Sequence, residues 1–276
     1  MDMIGIQYNA KLQRMVRQIK RDIDREIVPL VRSLASQYVQ DADASHEVVT
    51  QDAWSDIILS AMASLRERWT SNRVNAGAQR IAGEFVQSAL KKSERDLKKS
   101  AGIDVFSGSA VMQDYLKASA QQNVQLIQSI PARYLEEVET LLIANMRSGM
   151  RPGYIVSALV DQYGITQRRA KFIARDQTGK IQGEINERQQ RNAGFDYFRW
   201  LDSDDRRVRD RHREIAEKVT AYGPGVYRWD NLPLSQDGVP IRPGQDYNCR
   251  CTAVPVSSAQ VEQYRKSGQT KPGVYR

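Results

Sequence analysis

The sequence predicts an α+β fold, a helical N-terminal half followed by a small α+β domain with short antiparallel strands. Three observations predict it. Apolar residues recur at steps of three and four along most of the chain up to Gly194. Beyond Gly194 the pattern changes to short, partly alternating aromatic and β-branched pieces. From Ala221 to Val256, Gly, Pro and Asp interrupt the chain every few residues.

In order, Leu12, Met15, Ile19, Ile23, Ile27, Leu30, Leu34 and Tyr38 trace one apolar stripe on a long helix, with a kink expected at Pro29, which lacks an amide donor. Trp54, Ile58, Ala61, Leu65 and Trp69 predict a second helix, and Val74, Ala78, Ile81, Phe85 and Ala89 a third. The third ends in cationic residues around Lys98 and Lys99, which suit the negative end of a helix dipole. A loop is expected over 101–110 with Phe106 at its tip, then a helix from Val111 to Ile127. Pro131 suits the first position of another helix, running to about Ser148 and stopping at Gly149 before a turn in MRPGY. A short helix to Tyr163 would be closed by Gly164, and Thr166 would cap the next, which carries Ala170, Ile173, Ala174, Ile181 and Ile185.

The segment FDYFRWL, 195–201, reads as a strand, and the acidic turn DSDD as the cap of a helix from Val208 to Lys218. VYRW, VPIR and CTAVPV read as short strands, and the last twenty residues as a tail without apolar periodicity. The expected organisation is a helical region 1–130, an α+β domain 131–256 and a basic tail 257–276.

Composition narrows the function. Of 276 residues, 41% are hydrophobic and 27% charged, as in a globular protein with a large helical part. The apolar run Ile57–Leu65 is far shorter than the roughly 18 residues a membrane span needs, so no membrane association is expected. The first twenty residues lack the apolar core of a secretory signal and read as the start of a helix. Lys and Arg exceed Asp and Glu by 41 to 33, a net charge of +8. That balance fits either a polyanionic partner or a well-mixed solvated surface. Two places are denser: Arg206, Arg207, Arg209, Arg211 and Arg213, against one Asp, and the C-terminal Arg265, Lys266, Lys271 and Arg276. No aromatic residues interleave with the first run as a stacking platform for single strands would require. The two cysteines, Cys249 and Cys251, are one residue apart; a disulfide between them would be strained and close almost no loop, which favours a reducing, intracellular setting.

The candidate chemistry lies in the C-terminal half. His212, Cys249 and Cys251, with Asp205 or Asp246 as a fourth ligand, have the residue types of a tetrahedral structural zinc site. The one-residue spacing between the cysteines is unusual for such sites, although residues two apart on an extended strand share a face. The other reading makes the thiols small buried apolar groups and gives His212 a single hydrogen bond. Asp202, Asp204 and Asp205 beside Arg207 and Arg209 read either as a nuclease-like metal centre or as helix capping with a local ion-pair network. Arg175 and Asp176, on a helix otherwise lined by small and apolar residues, read as a buried ion pair docking that helix onto the strand domain. No GxxxxGK[ST] or HExxH motif is present, and Glu137 and Glu139 in EVE read as surface glutamates.

Three pieces in order, IARDQTGKIQGEINERQQRNAG, YFRWLDSDDRRVRDRHREIAEKV and PGQDYNCRCTAVPV, resemble the Mu F-like domain of phage minor head proteins, the head-morphogenesis family. SIPARYLEEVETLLIANMRSG resembles the helix that often precedes that domain; residues 1–120 carry no such match. The resemblance implies a structural virion protein and not an enzyme. It implies a few copies inside the head near the portal vertex, contacting the portal protein and the major capsid protein, with basic segments near packaged double-stranded DNA. Roles in assembly, DNA packaging or ejection follow from it, with the host cytoplasm as the site of assembly. The one cofactor the residues themselves suggest is a structural zinc at His212, Cys249 and Cys251. The alternatives are a metal-dependent DNA-processing enzyme built on the aspartates and His212, and a plain DNA-binding protein driven by charge.

Overall fold

The structure is a computed structural model that describes residues 2–33, 51–104, 108–147 and 152–276. Leu34, Tyr38, His46, Phe106 and the turn at 149–151 lie outside them, as does the side chain of Trp54. Among the described residues, five long helices come first: α1 (Met3–Glu26), α2 (Gln51–Thr70), α3 (Asn72–Ala101), α4 (Ala110–Arg147) and α5 (Pro152–Asn192). There follow β1 (Tyr197–Leu201), α6 (Asp210–Glu217), β2 (Val219–Thr220), β3 (Gly223–Pro224), β4 (Val226–Arg228), β5 (Thr252–Val256) and α7 (Ser258–Lys266). The α+β class read from the sequence is the one observed.

Contacts group the chain into two units, each discontinuous in sequence. One comprises Gln7–Ala82 and Gln121–Ala174. Its core takes the stripe of α1, with Leu12, Ile19 and Ile23 fully or almost fully buried, together with Ile58, Met62 and Leu65 of α2 and Ile127, Ile130 and Val138 of α4. Polar ties register the helices: Tyr8 Oη donates to Asn123 Oδ1 (3.0 Å), Trp69 Nε1 to Asp22 Oδ2 (3.1 Å) and Arg66 pairs with Glu139 (2.7 Å). A turn at Ile27 breaks α1 before helix resumes over 28–33, consistent with the missing amide of Pro29.

The sequence divided the later helices too finely. Residues 110–147 form one helix with Pro131 inside it, and 152–192 form another that runs through Gly164. Thr166 does not cap: its hydroxyl donates to the carbonyl of Gln162 (3.0 Å), a bond available within a continuous helix.

The second unit comprises Met1–Ile6, Gly83–Ala120 and Arg175–Arg276. Its sheet has the order β4-β1-β5, antiparallel throughout, with Trp200 opposite Ala253 and Phe198 opposite Tyr227. Alternation along β1 sends Phe198 and Trp200 to one face, where they pack with Ile215, Tyr227, Trp229, Cys249 and Cys251. Phe198 stacks on Trp229 with ring centroids 3.9 Å apart, and Tyr227 Oη donates to the Ile215 carbonyl (2.8 Å), anchoring α6. The opposite face carries Tyr197, Tyr222, Val226 and Val256, covered by Val261 and Tyr264 of α7. VPIR forms no strand; only an isolated bridge joins Leu234 and Pro240.

The last twenty residues are more structured than their pattern led us to expect. Ser257 and Gln260 form a reciprocal capping box at the start of α7. Beyond it, Lys271 N–H donates to the Thr220 carbonyl (2.9 Å) and Ala221 N–H to that of Val274 (2.6 Å). One buried residue, Val261, suffices to seat α7, too little to register as a periodic signal.

Within this unit, α5 meets the loop before β5 backbone to backbone. A Cβ on Gly179 would lie 2.5 Å from the Cys249 carbonyl oxygen, and one on Gly183 2.3 Å from that of Pro243. Glycine inside a helix ordinarily costs about 1 kcal/mol relative to alanine; here it permits the approach. Gly179→Ala and Gly183→Ala are each expected to lower stability by about 2–3 kcal/mol in thermal or urea denaturation. Gly77→Ala in α3, where an added Cβ meets nothing within 4 Å, is expected to raise it by about 0.5–1 kcal/mol. Equal responses at these positions would contradict the close approach.

Candidate functional site

The site gathers where α5, α6 and the loop Pro243–Cys251 converge within the second unit. Gly244 (φ +86°) turns the loop over Gly179 and Gly183, and Asn248 (φ 53°) turns it again just before the cysteines. Both conformations lie in the left-handed region that side chains tolerate poorly, asparagine better than most. Buried Asp176 holds the second turn: its Oδ1 accepts the Asn248 N–H (3.2 Å), while Lys180, one helical turn on, pairs with Oδ2 (2.7 Å). This corrects the expected Arg175–Asp176 pair. Adjacent helical residues point about 100° apart, whereas residues four apart share a face.

After that turn the chain is extended, so Cys249 and Cys251 face one side and Arg250 the other, as their spacing predicts. Both thiols are buried and free. His212, buried on α6, directs Nδ1 at both sulfurs, 3.6 Å from Cys249 and 3.5 Å from Cys251. Its other nitrogen, Nε2, lies 3.4 Å from Asp246 Oδ2. The Cys251 amide donates to Cys249 Sγ (3.4 Å). The Cys251 thiol, then the His212 ring, pull the Cys249 thiol toward ionisation, and that charge in turn pushes Cys251 the other way.

Asp205 does not join this cluster. Its carboxylate takes both guanidinium nitrogens of Arg250, Nη2 at 2.7 Å, and accepts the Arg207 amide (2.9 Å). These contacts, Arg250 foremost, hold the Asp205 carboxyl well below the usual carboxylate range. Nor do the aspartates cap α6, whose N-cap, Arg209, makes no side-chain cap bond. Asp202 accepts the Asp204 amide (2.8 Å), so the acidic turn folds on itself. Among the described residues, the group of metal-ligating side chains brought together is His212, Cys249 and Cys251, without the aspartates expected as a nuclease-like centre.

The arginine run is largely committed to the fold. Arg209 donates to the Tyr247 carbonyl (2.7 Å), Arg211 to that of Leu234 (2.9 Å) and Arg213 to that of Asp205 (3.4 Å), and Arg207 lies 3.7 Å from Asp205. Arg206 is exposed, as are Lys266 and Lys271, while Arg265 pairs with Glu262. Sequence reasoning missed Gly179, Gly183, Lys180 and Asn248. The four-residue spacing of the two glycines inside a helical pattern was the available signal.

Residues 136–254 match the family described as Phage Mu protein F like protein, so this part of the chain is similar to that family. The match runs from α4 into β5 and takes in Asp176, Asp205, His212 and both cysteines. An uncharacterized protein of Haemophilus influenzae is 27% identical over 256 residues, 90% of this chain and 52% of its own length. The likeness therefore extends into the N-terminal helices, and the chain spans about half the length of that curated relative. No solved structure matches. No helix of the described residues is long and apolar enough to cross a membrane.

Two outcomes test the bracing. Asp176→Ala strips the Asn248 amide of its acceptor and is expected to cost about 1–3 kcal/mol in thermal denaturation. An unchanged melting temperature would contradict it. Asp205 keeps its charge to lower pH when folded than a free aspartate, whose pKa is about 3.9. Its stabilisation is therefore complete above that value and is lost as pH falls below it. The melting-temperature gap between the native protein and Asp205→Asn should be widest near neutrality, close in acid, and narrow at high salt.

Proposed function

We propose that the protein is a minor head protein that acts in phage head morphogenesis, docking on the portal and shell as a structural component and not as an enzyme. The Mu F-like match over the C-terminal half carries this reading. The disposition of charge supports it over a plain DNA-binding protein. Four of the five arginines in the densest basic run make contacts inside the fold, so the net charge of +8 overstates what is free to meet phosphate.

An apolar surface suited to a protein partner is available on α5. Tyr154, Ile165 and Phe172 are 67%, 48% and 45% exposed. Their spacings of eleven and seven residues bring them onto one side of a helix with 3.6 residues per turn. A stripe of this kind docks on a hydrophobic groove; duplex DNA offers nothing for it. The copies would sit inside the head near the portal vertex, with Arg206, Lys266 and Lys271 toward packaged DNA.

Co-expression with the portal protein of the same genome tests this. The two are expected to co-purify, to remain together when salt is raised severalfold, and to separate on Ile165→Glu without a change in melting temperature. Affinity for duplex DNA that falls steeply with salt, with no portal association, would overturn the reading in favour of a DNA-binding protein. Cleavage of DNA in magnesium or manganese, lost on replacing His212, would overturn it in favour of an enzyme.

A further inference from the structure

We infer that His212, Cys249 and Cys251 form a zinc site that ties α6 to the loop before β5. The distances carry the inference. Zinc bonded at about 2.3 Å to sulfur and 2.0–2.1 Å to imidazole nitrogen, at the tetrahedral angle, separates S from N by about 3.6 Å. Cys249 Sγ and Cys251 Sγ lie 3.6 Å and 3.5 Å from His212 Nδ1, and all three ligand atoms fall within 4.8 Å of one another. A thiol hydrogen bond accounts for one of these contacts but not both, since a neutral imidazole nitrogen has a single lone pair and two sulfurs share it equally.

The surroundings match what a bound dication needs. Asp246 Oδ2 faces Nε2 at 3.4 Å, a carboxylate placed to favour the proton on that nitrogen and leave the Nδ1 lone pair for metal. A carboxylate behind a histidine ligand fixes its tautomer and orientation. The Cys251 amide donates to Cys249 Sγ (3.4 Å), a bond that favours thiolate. Trp200, fully buried and edge-on to the His212 ring with centroids 5.5 Å apart, has an indole nitrogen with no oxygen or nitrogen acceptor. Two thiolates, a neutral imidazole and a dication sum to zero, so the buried cluster carries no net charge.

The one-residue spacing between the cysteines is accommodated because the chain is extended there and Arg250 turns away to Asp205. Two sulfurs and one nitrogen in this arrangement select zinc among the common divalent ions. Three protein ligands leave one tetrahedral position, and both cysteines border a cavity of about 260 Å³ that also touches Ser203 and Thr178. Solvent supplies the fourth ligand through it.

The test is metal analysis of the full chain, purified without a histidine tag. About one zinc per chain is expected. After exchange, cobalt alone should give sulfur-to-metal charge transfer and the intense visible bands of a four-coordinate ion. Asp246→Asn keeps every ligand and should weaken zinc affinity about 10–100-fold in competition with a chromophoric chelator. Asp205→Asn should leave metal content unchanged. Cys249→Ser and Cys251→Ser should each abolish the charge-transfer bands. A chain without zinc whose cobalt form lacks those bands would overturn the inference. So would an intact mass, measured without reductant, two hydrogens below that of the free thiols.

Discussion

The C-terminal unit depends on a helix and a loop meeting with no side chain between them. Gly179 and Gly183 on α5 open a strip of bare backbone, and Gly244 lays the loop against it. Everything that follows in the chain inherits its position from that contact. Asp176 and Asn248 set the angle at which the loop leaves, the extended step to Cys251 turns both sulfurs inward, and β5 enters the sheet beside β1 in register. Side chains brace this arrangement but do not create it.

The same contact marks the limit of what the sequence reveals. Periodicity exposed the α+β class, the stripe of α1, strand β1 and the helix after the acidic turn, because each element buries its own apolar residues. It also grouped His212 with the two cysteines from residue type alone. Partners chosen in three dimensions were hidden. Asp176 was read with its neighbour Arg175, yet helical geometry gives it Lys180 and an amide 72 positions away. Asp205 was read as a metal ligand, a cap or a partner of the neighbouring arginines, yet Arg250, 45 positions away, claims it. Pro131, Gly164 and Thr166 read as helix boundaries, and tertiary packing carried the helices through all three.

Charge follows a similar logic. The run Arg206–Arg213 looks in one dimension like a nucleic-acid footprint. In the fold Arg209, Arg211 and Arg213 donate to loop carbonyls, those of Tyr247, Leu234 and Asp205. Arginine is suited to this task because its planar, permanently charged head spans several acceptors at once.

The discontinuity of the two units bears on how the polypeptide matures during synthesis. The helical unit draws on nothing beyond Ala174, so its last strip of chain is available well before translation ends. The other unit joins the first six residues to a segment that reaches Arg276. Asp2–Ile6 therefore meet their partners in that unit only with later segments of the chain: Gln182 of α5 donates to Asp2 Oδ2 (2.6 Å), after the last segment of the helical unit has been made.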